Sequence, residues 1–232
     1  MSNLLVGGVE TFSAVDFPGK LAAVVFLQGC PWRCPFCYNT DLQQIGRPTD
    51  FLWDKFLEFL DTRRGKLDAV VFSGGEPLVQ EDLAAAMREV REKRFEVGLH
   101  TGGYRPQKLA EVLPLVDWIG FDVKAPFEEK RYAEVTKTNH LREVLKSLDM
   151  ILSSGKDFEC RTTCDPRLLT CADLRQMAEA LHAKGVKKYF LQKYRPVPSD
   201  TVTTDNACEN LLTDSELLEY LQTHFAEFEV RK

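Results

Sequence analysis

What this 232-residue chain lacks narrows the possibilities first. No apolar run approaches the roughly 18–20 residues of a bilayer-spanning helix, so no membrane span is expected. The opening Met1-Ser2-Asn3-Leu4 has neither a charged start nor an apolar core, and it does not read as a secretory signal. Charge of one sign never accumulates. With 30 Lys and Arg against 35 Asp and Glu the net charge is −5, which leaves no footprint for nucleic acid. No interdomain linker and no sequence repeat is visible, so a single domain over residues 1–232 is expected. The seven cysteines are an odd count, and three lie too close together for a disulfide framework. Reduced thiols of a cytoplasmic protein fit better.

One more absence is the most telling. Cys30-Pro-Trp-Arg-Cys34-Pro-Phe-Cys37 puts three cysteines within eight residues, and no fourth follows before Cys160. Structural zinc closes its site with four protein ligands, so the trio suits it poorly. Iron–sulfur clusters are held by cysteine thiolates, and a four-iron cluster on three of them leaves one iron open for chemistry. Trp32, Phe36 and Tyr38, interleaved with the cysteines, are expected to limit water access. The alternative is three free or zinc-bound cysteines.

Short apolar runs alternate with helical stretches. Strands are expected at 21–28, 69–73, 95–100, 118–123, 158–163 and 188–192. Helices are expected at 50–63, 80–93, 106–113, 141–153 and 170–184. Thr170 with Asp173 offers an N-cap and Gly185 a stop; Thr213-Asp-Ser-Glu216 reads as a capping box opening a terminal helix, 213–225. Residues 29–46 form the cysteine loop, 194–212 a long proline-containing loop, and 228–230 could add an edge strand. Six βα repeats imply an α/β fold with a parallel sheet and helices outside. Six are too few to close an eight-stranded TIM-type barrel, so an open, partial six-stranded barrel is expected.

Active sites of such barrels lie at the C-terminal strand ends. Here those ends carry Gln28-Gly29-Cys30, Ser73-Gly-Gly-Glu-Pro77, His100-Thr-Gly-Gly103, Asp122-Val-Lys124, Arg161-Thr-Thr163 and Gln192-Lys193. In the second, Gly74 and Gly75 let backbone approach a ligand, and Glu76 could accept a hydrogen bond from an ammonium. Taken alone, such a turn is an ordinary strand-to-helix connection.

Together, the Cys-x3-Cys-x2-Cys loop with Phe36 and Tyr38 flanking its last cysteine, and the Gly-Gly-Glu-Pro turn, resemble the radical S-adenosylmethionine (SAM) superfamily. The resemblance implies a four-iron–four-sulfur (4Fe-4S) cluster on Cys30, Cys34 and Cys37. It also implies S-adenosyl-L-methionine chelating the open iron, with Gly74, Gly75 and Glu76 near its amino group. One electron then cleaves the sulfonium to a 5′-deoxyadenosyl radical.

Thr11-Phe-Ser-Ala-Val-Asp16-Phe-Pro-Gly19, Phe26-Leu-Gln-Gly-Cys30 and Cys37-Tyr-Asn39 look, more narrowly, like the glycyl-radical-enzyme activases. The similarity is greatest to anaerobic ribonucleoside-triphosphate reductase activating proteins, with pyruvate formate-lyase activating enzyme similar along the same length. The resemblance implies hydrogen abstraction from a glycine of a large partner, and flavodoxin or ferredoxin as electron donor. It places Lys124 of Asp122-Val-Lys124 at the SAM carboxylate, although an Asp-x-Lys is otherwise an ordinary same-face ion pair. Thr101 falls where activases place a threonine, but His100 stands where they often have a cation-binding aspartate. That departure puts a cation site in doubt, and a packed rim histidine is the alternative. Arg161 and Thr163 could reach the ribose or carboxylate, or Arg161 could be solvated. The sixth-strand contact falls around Gln192 to Tyr194.

Some activases insert a second-cluster module before the Gly-Gly-Glu turn. Here the 36 residues between Cys37 and Gly74 contain no cysteine, so Cys160, Cys164 and Cys171 read as packing thiols. Cys208 reads as a free thiol of the long loop. Arg33 and Arg47 could steer an acidic donor or simply be solvated. A small-molecule radical SAM enzyme such as 7-carboxy-7-deazaguanine synthase remains open; Tyr38 argues against it, since that family tends to have aspartate after its last cysteine. A non-catalytic electron carrier would need a fourth cluster ligand.

Overall fold

Strands buried on both faces, rich in β-branched and aromatic residues, belong to the interior of a parallel sheet. Ala22–Leu27 (β2) and Ala69–Gly74 (β3) are such strands. The computed structural model describes residues 4–231. The other strands are Val6–Ser13 (β1), Glu96–Thr101 (β4), Trp118–Asp122 (β5), Asp157–Cys164 (β6), Lys188–Lys193 (β7) and Glu227–Arg231 (β8). The helices are Trp53–Asp61 (α1), Leu83–Glu92 (α2), Pro106–Val112 (α3), Glu129–Thr136 (α4), Leu141–Ser153 (α5), Cys171–Ala183 (α6), Asp205–Leu212 (α7) and Ser215–His224 (α8). Strand order follows the chain from β1 to β8, so the sheet is open. β1 runs antiparallel to β2, whereas β2–β3, β3–β4, β6–β7 and β7–β8 pair in parallel.

The six expected strands are β2 to β7, each within a residue at either end, and the edge strand at 228–230 is β8. The sheet therefore has eight strands rather than six. β1 went unanticipated because Val-Gly-Gly-Val-Glu-Thr-Phe-Ser carries two glycines and buries only its two end residues on an edge. α4 is short, strongly charged, and buries only Tyr132, Val135 and Thr136, a stripe too narrow to read as a period. α7 falls inside the expected 194–212 loop. It starts at the Thr204 hydroxyl, which accepts from the Ala207 amide at 3.3 Å, and buries Cys208, Leu211 and Leu212. Cys208 is thus a free thiol, as expected, but in the buried face of a helix rather than in a loop. The terminal helix is capped one residue later than expected. Asp214 accepts from the Leu217 amide at 2.8 Å, while the Thr213 hydroxyl turns back to the Glu209 carbonyl at 3.0 Å. Thr170 and Asp173 form the capping box of α6, and Gly185 at φ +88° ends it, both as expected.

The chain forms two compact units. The first comprises the described residues up to Pro31, with Asn39–Gly120 and Glu143–Asp157; the second comprises Trp32–Tyr38, Phe121–Arg142 and the chain from Phe158 onward. In the first, Ala22, Val24, Ala69 and Val71 form a buried cluster with Phe17 and Trp118, whose rings lie 5.3 Å apart. Gly98 makes room for it, since a Cβ there would lie 3.1 Å from the Phe17 ring. In the second, Arg231 reaches back from β8 to the buried Glu159 of β6, at 2.9 Å to Oε2, and stacks over Phe190. That fork fixes the exposed edge strand to the sheet.

Candidate active site

The first unit holds Gly29, Cys30 and the ends of β3 and β4. Gly29, at φ +100°, donates its amide to the Leu42 carbonyl at 2.7 Å, and Cys30 donates to the Gln43 carbonyl at 3.2 Å. The buried Gln28 side chain donates to the carbonyls of Asp41 and Gln44, at 3.2 and 2.9 Å. Gln80 donates in turn to the Gln28 carbonyl and to that of Leu5. These amides pin the return of the cysteine loop against its start. Sequence periodicity carried no sign of them.

Gly74 and Gly75 meet protein backbone. A Cβ on Gly75 would lie 2.2 Å from the Gly29 carbonyl oxygen, and one on Gly74, at φ +108°, 2.2 Å from the Leu27 nitrogen. The close approach read from the sequence is therefore made, at least in part, by the start of the cysteine loop. Gly75 donates to Leu27 and Glu76 to Gly29, both at 2.8 Å. The Glu76 carboxylate is buried and accepts from the Leu78 amide at 3.2 Å, the Gly102 amide at 2.9 Å and the Thr101 hydroxyl. Thr101 also accepts from the Gly103 amide at 2.9 Å. Glu76 and Thr101 thus lock β3 to β4 at their C-terminal ends. His100 is packed rather than presented: one ring nitrogen lies 2.8 Å from the Asp16 carbonyl, the other 3.3 Å from the Ser73 hydroxyl, with Trp118 edge-on at 5.6 Å. The Asp16 carbonyl can only accept, which assigns the proton to Nε2.

The second unit holds Cys34, Cys37 and the strand ends of β5 to β7. Cys37 donates its amide to the Cys34 carbonyl at 3.0 Å, closing a tight turn, and Arg33 donates to the Thr136 carbonyl at 2.9 Å. Trp32 is buried, and the Lys124 ammonium sits 5.0 Å from its ring centroid. Lys124 also lies 3.5 Å from Asp122, whose other oxygen accepts from Arg161 Nη2 at 2.8 Å and Nε at 3.1 Å. Arg161 is buried, so the solvated alternative does not hold. Burial pushes the Cys34 thiol up to about 11, with the Lys124 charge opposing. Metal loading must therefore displace a proton there. Phe36 is half-buried against Tyr194, Val197 and Cys208. Tyr38 is 68% exposed and shields nothing, contrary to expectation. Gln192 is half-buried on β7, in register with Thr163 and Arg231. Arg33 and Arg47 are both exposed.

Among the described residues no three His, Cys, Asp or Glu side chains gather on one metal-ion position. Three ligands of an iron–sulfur cube need not do so, because each thiolate takes a different iron. The donor set of three thiols in one short loop, two flanked by buried or half-buried aromatics, fits the cluster.

Residues 24–164 match the radical SAM superfamily model. A Methanocaldococcus jannaschii protein, named as a glycyl-radical enzyme activating enzyme, is 31% identical over 210 residues, covering 83% of this chain and 80% of that one. The pyruvate formate-lyase-activating enzyme of Listeria monocytogenes is 35% identical over 152 residues, 58% of each chain. Streptococcus suis SuiB superposes with a TM-score of 0.66 at 16% identity, over 88% of this chain and 47% of its own; that likeness shows the fold alone. The chain belongs to the radical SAM superfamily, whose members use a 4Fe-4S cluster and S-adenosylmethionine. Within it, the chain belongs with the glycyl-radical-enzyme activating enzymes.

Of the thiols expected to pack, Cys171 is only half-buried at the start of α6. Cys160 and Cys164 are fully buried on β6, and burial pushes both thiols far above their ordinary value of 9.0. Neither should react with iodoacetamide in the folded chain, which peptide mass spectrometry checks; rapid labelling would contradict their packing role. The sign for stability follows from linkage. The unfolded thiols ionise first, so the contribution is fully present below pH 9 and is lost as pH rises above it. No helix of the described residues is long and apolar enough to cross a membrane.

Proposed function

We propose that this activase installs a glycyl radical in an anaerobic ribonucleoside-triphosphate reductase. The observation that supports the radical chemistry most is the Cys30–Cys34–Cys37 loop opening directly from β2 in a chain of this family. The three thiolates are the proposed cluster ligands. When bound, the cluster and SAM supply the one-electron cleavage that yields a 5′-deoxyadenosyl radical, which takes hydrogen from the partner's glycine. The chain's own residues bind and orient. Gly74, Gly75 and Glu76 are assigned to the SAM amino group, with Glu76 held rigid by its three donors. Lys124, beside Asp122, is assigned to the carboxylate, and Thr101, Arg161, Gln192, Phe36 and Tyr38 to the rest of the molecule. The Lys124 ammonium, now beside Asp122 and the Trp32 face, would exchange part of that pairing for the anion.

The target rests on the Thr11–Gly19 segment and on resemblance along the chain. A pyruvate formate-lyase-type target is the second reading, favoured by the Listeria relative. The reduced thiols suit a cytoplasmic protein, with flavodoxin or ferredoxin as donor. The test is anaerobic reconstitution with iron, sulfide and SAM, reduced in turn by dithionite, flavodoxin and ferredoxin, beside each candidate partner. Electron paramagnetic resonance should show a glycyl doublet on the reductase. A doublet only on a pyruvate formate-lyase-type enzyme transfers the target; 5′-deoxyadenosine with no doublet on any partner favours a small-molecule substrate.

A further inference from the structure

Residues beyond the stretch that matches the superfamily reach back to the cysteine loop. Tyr194, Val197 and Cys208 form a buried apolar cluster, and Phe36, between Cys34 and Cys37, packs on it. The Tyr194 hydroxyl donates to Asp200 Oδ2 at 2.8 Å and accepts from the Val197 amide at 3.2 Å and Arg167 Nη2 at 2.7 Å. Arg167 forks onto Asp165, with Nε at 2.9 Å from Oδ1, and reaches Asp200 through Nη1 at 2.8 Å. Its guanidinium also lies 4.8 Å over the Tyr194 ring. Both carboxylates are inaccessible to solvent. Lys193 holds α7, which carries Cys208, through Asp205 at 2.6 Å and Glu209 at 3.2 Å.

Two buried carboxylates around one arginine add little net stability, because desolvation offsets their attraction. What such a network supplies is a fixed geometry. The geometry here is that of the Tyr194 ring, and Phe36 packs against the cluster to which that ring belongs. We propose that Arg167, Asp165, Asp200 and Tyr194 are positioning residues that act through Phe36 to hold the Cys34–Cys37 turn on an apolar floor and keep water from that side of its thiols. The role in catalysis rests on the cluster reading; the hold on the turn does not.

The test uses the full chain, first without metal. Tyr194→Phe keeps the ring but removes the hydroxyl, Asp200→Asn keeps the shape but removes the charge, and Phe36→Ala removes the contact itself. Iodoacetamide labelling of Cys34 and Cys37, followed by peptide mass spectrometry, should rise about fivefold in each variant, with Cys30 unchanged. Combining Tyr194→Phe with Phe36→Ala should add nothing, since both act through one contact. Unchanged labelling in Phe36→Ala, or additive effects in the double variant, overturns the proposal; should a network variant fail to fold by circular dichroism, Phe36→Ala alone decides. Reconstituted variants should then lose iron to a chelator several-fold faster than wild type. A wild-type chain that takes up no iron would refute the cluster reading, while the labelling still judges the tether.

Discussion

A Cys34→Ala chain is expected to fold with nearly unchanged stability and to lose cluster loading and SAM cleavage by roughly a hundredfold or more. The asymmetry is the informative part. Removing one sulfur from a buried site leaves a small void, worth about 1 kcal/mol at most. Removing one of three ligands leaves the cluster only two thiolates. Cys160→Ala and Cys164→Ala delete the same atom from fully buried positions on β6 and should load iron normally. Iron and sulfide content with a thermal melt checks both halves. A Cys34→Ala chain that still cleaves SAM removes the cluster assignment.

Gly75→Ala should be strongly damaging for a single added methyl. The added Cβ would meet the Gly29 carbonyl oxygen at 2.2 Å, the Gly29 carbonyl carbon at 2.8 Å and the Leu42 carbonyl oxygen at 3.1 Å. All three are backbone, so no side chain can swing aside. The Glu76 amide bond to Gly29 at 2.8 Å must stretch, and Gly29 directly precedes Cys30. A cost of roughly 3 kcal/mol follows from overpacking of this kind. It would lower the melting temperature by about 10 °C and impair loading through Cys30. Gly8→Ala, with nothing within 4 Å of its added Cβ, is the matched control. A Gly75→Ala chain that melts and loads like wild type would show that the contact between the turn and the cysteine loop is not as described.

That glycine also marks where the sequence was legible and where it was not. The motif Ser73-Gly-Gly-Glu-Pro77 was visible at the end of a strand, because apolar runs of five or six residues between turn signals delimit parallel strands well. What surrounds the glycines was not visible. Gly29 and Gly75 are far apart in sequence, and no local pattern records a long-range backbone contact. Glu76 shows the same division: its position was expected, its donors Leu78, Thr101 and Gly102 were not. Elements that bury a broad stripe, such as α5 at 141–153, were read to the residue. The edge strand β1 and the charged helix α4 bury too little to leave a period. His100, which the family comparison could only flag as a departure, is explained by two contacts from distant segments, Asp16 and Ser73.

The central claim is that three thiolates hold a cluster whose open iron serves SAM. The most direct measurement is 5′-deoxyadenosine formation by the reconstituted, dithionite-reduced chain, quantified by chromatography against cluster content. The account predicts 5′-deoxyadenosine from the wild type, close to one per cluster or more, and none above background from Cys30→Ala, Cys34→Ala or Cys37→Ala. A fully loaded, reduced wild-type chain that leaves SAM intact would contradict it.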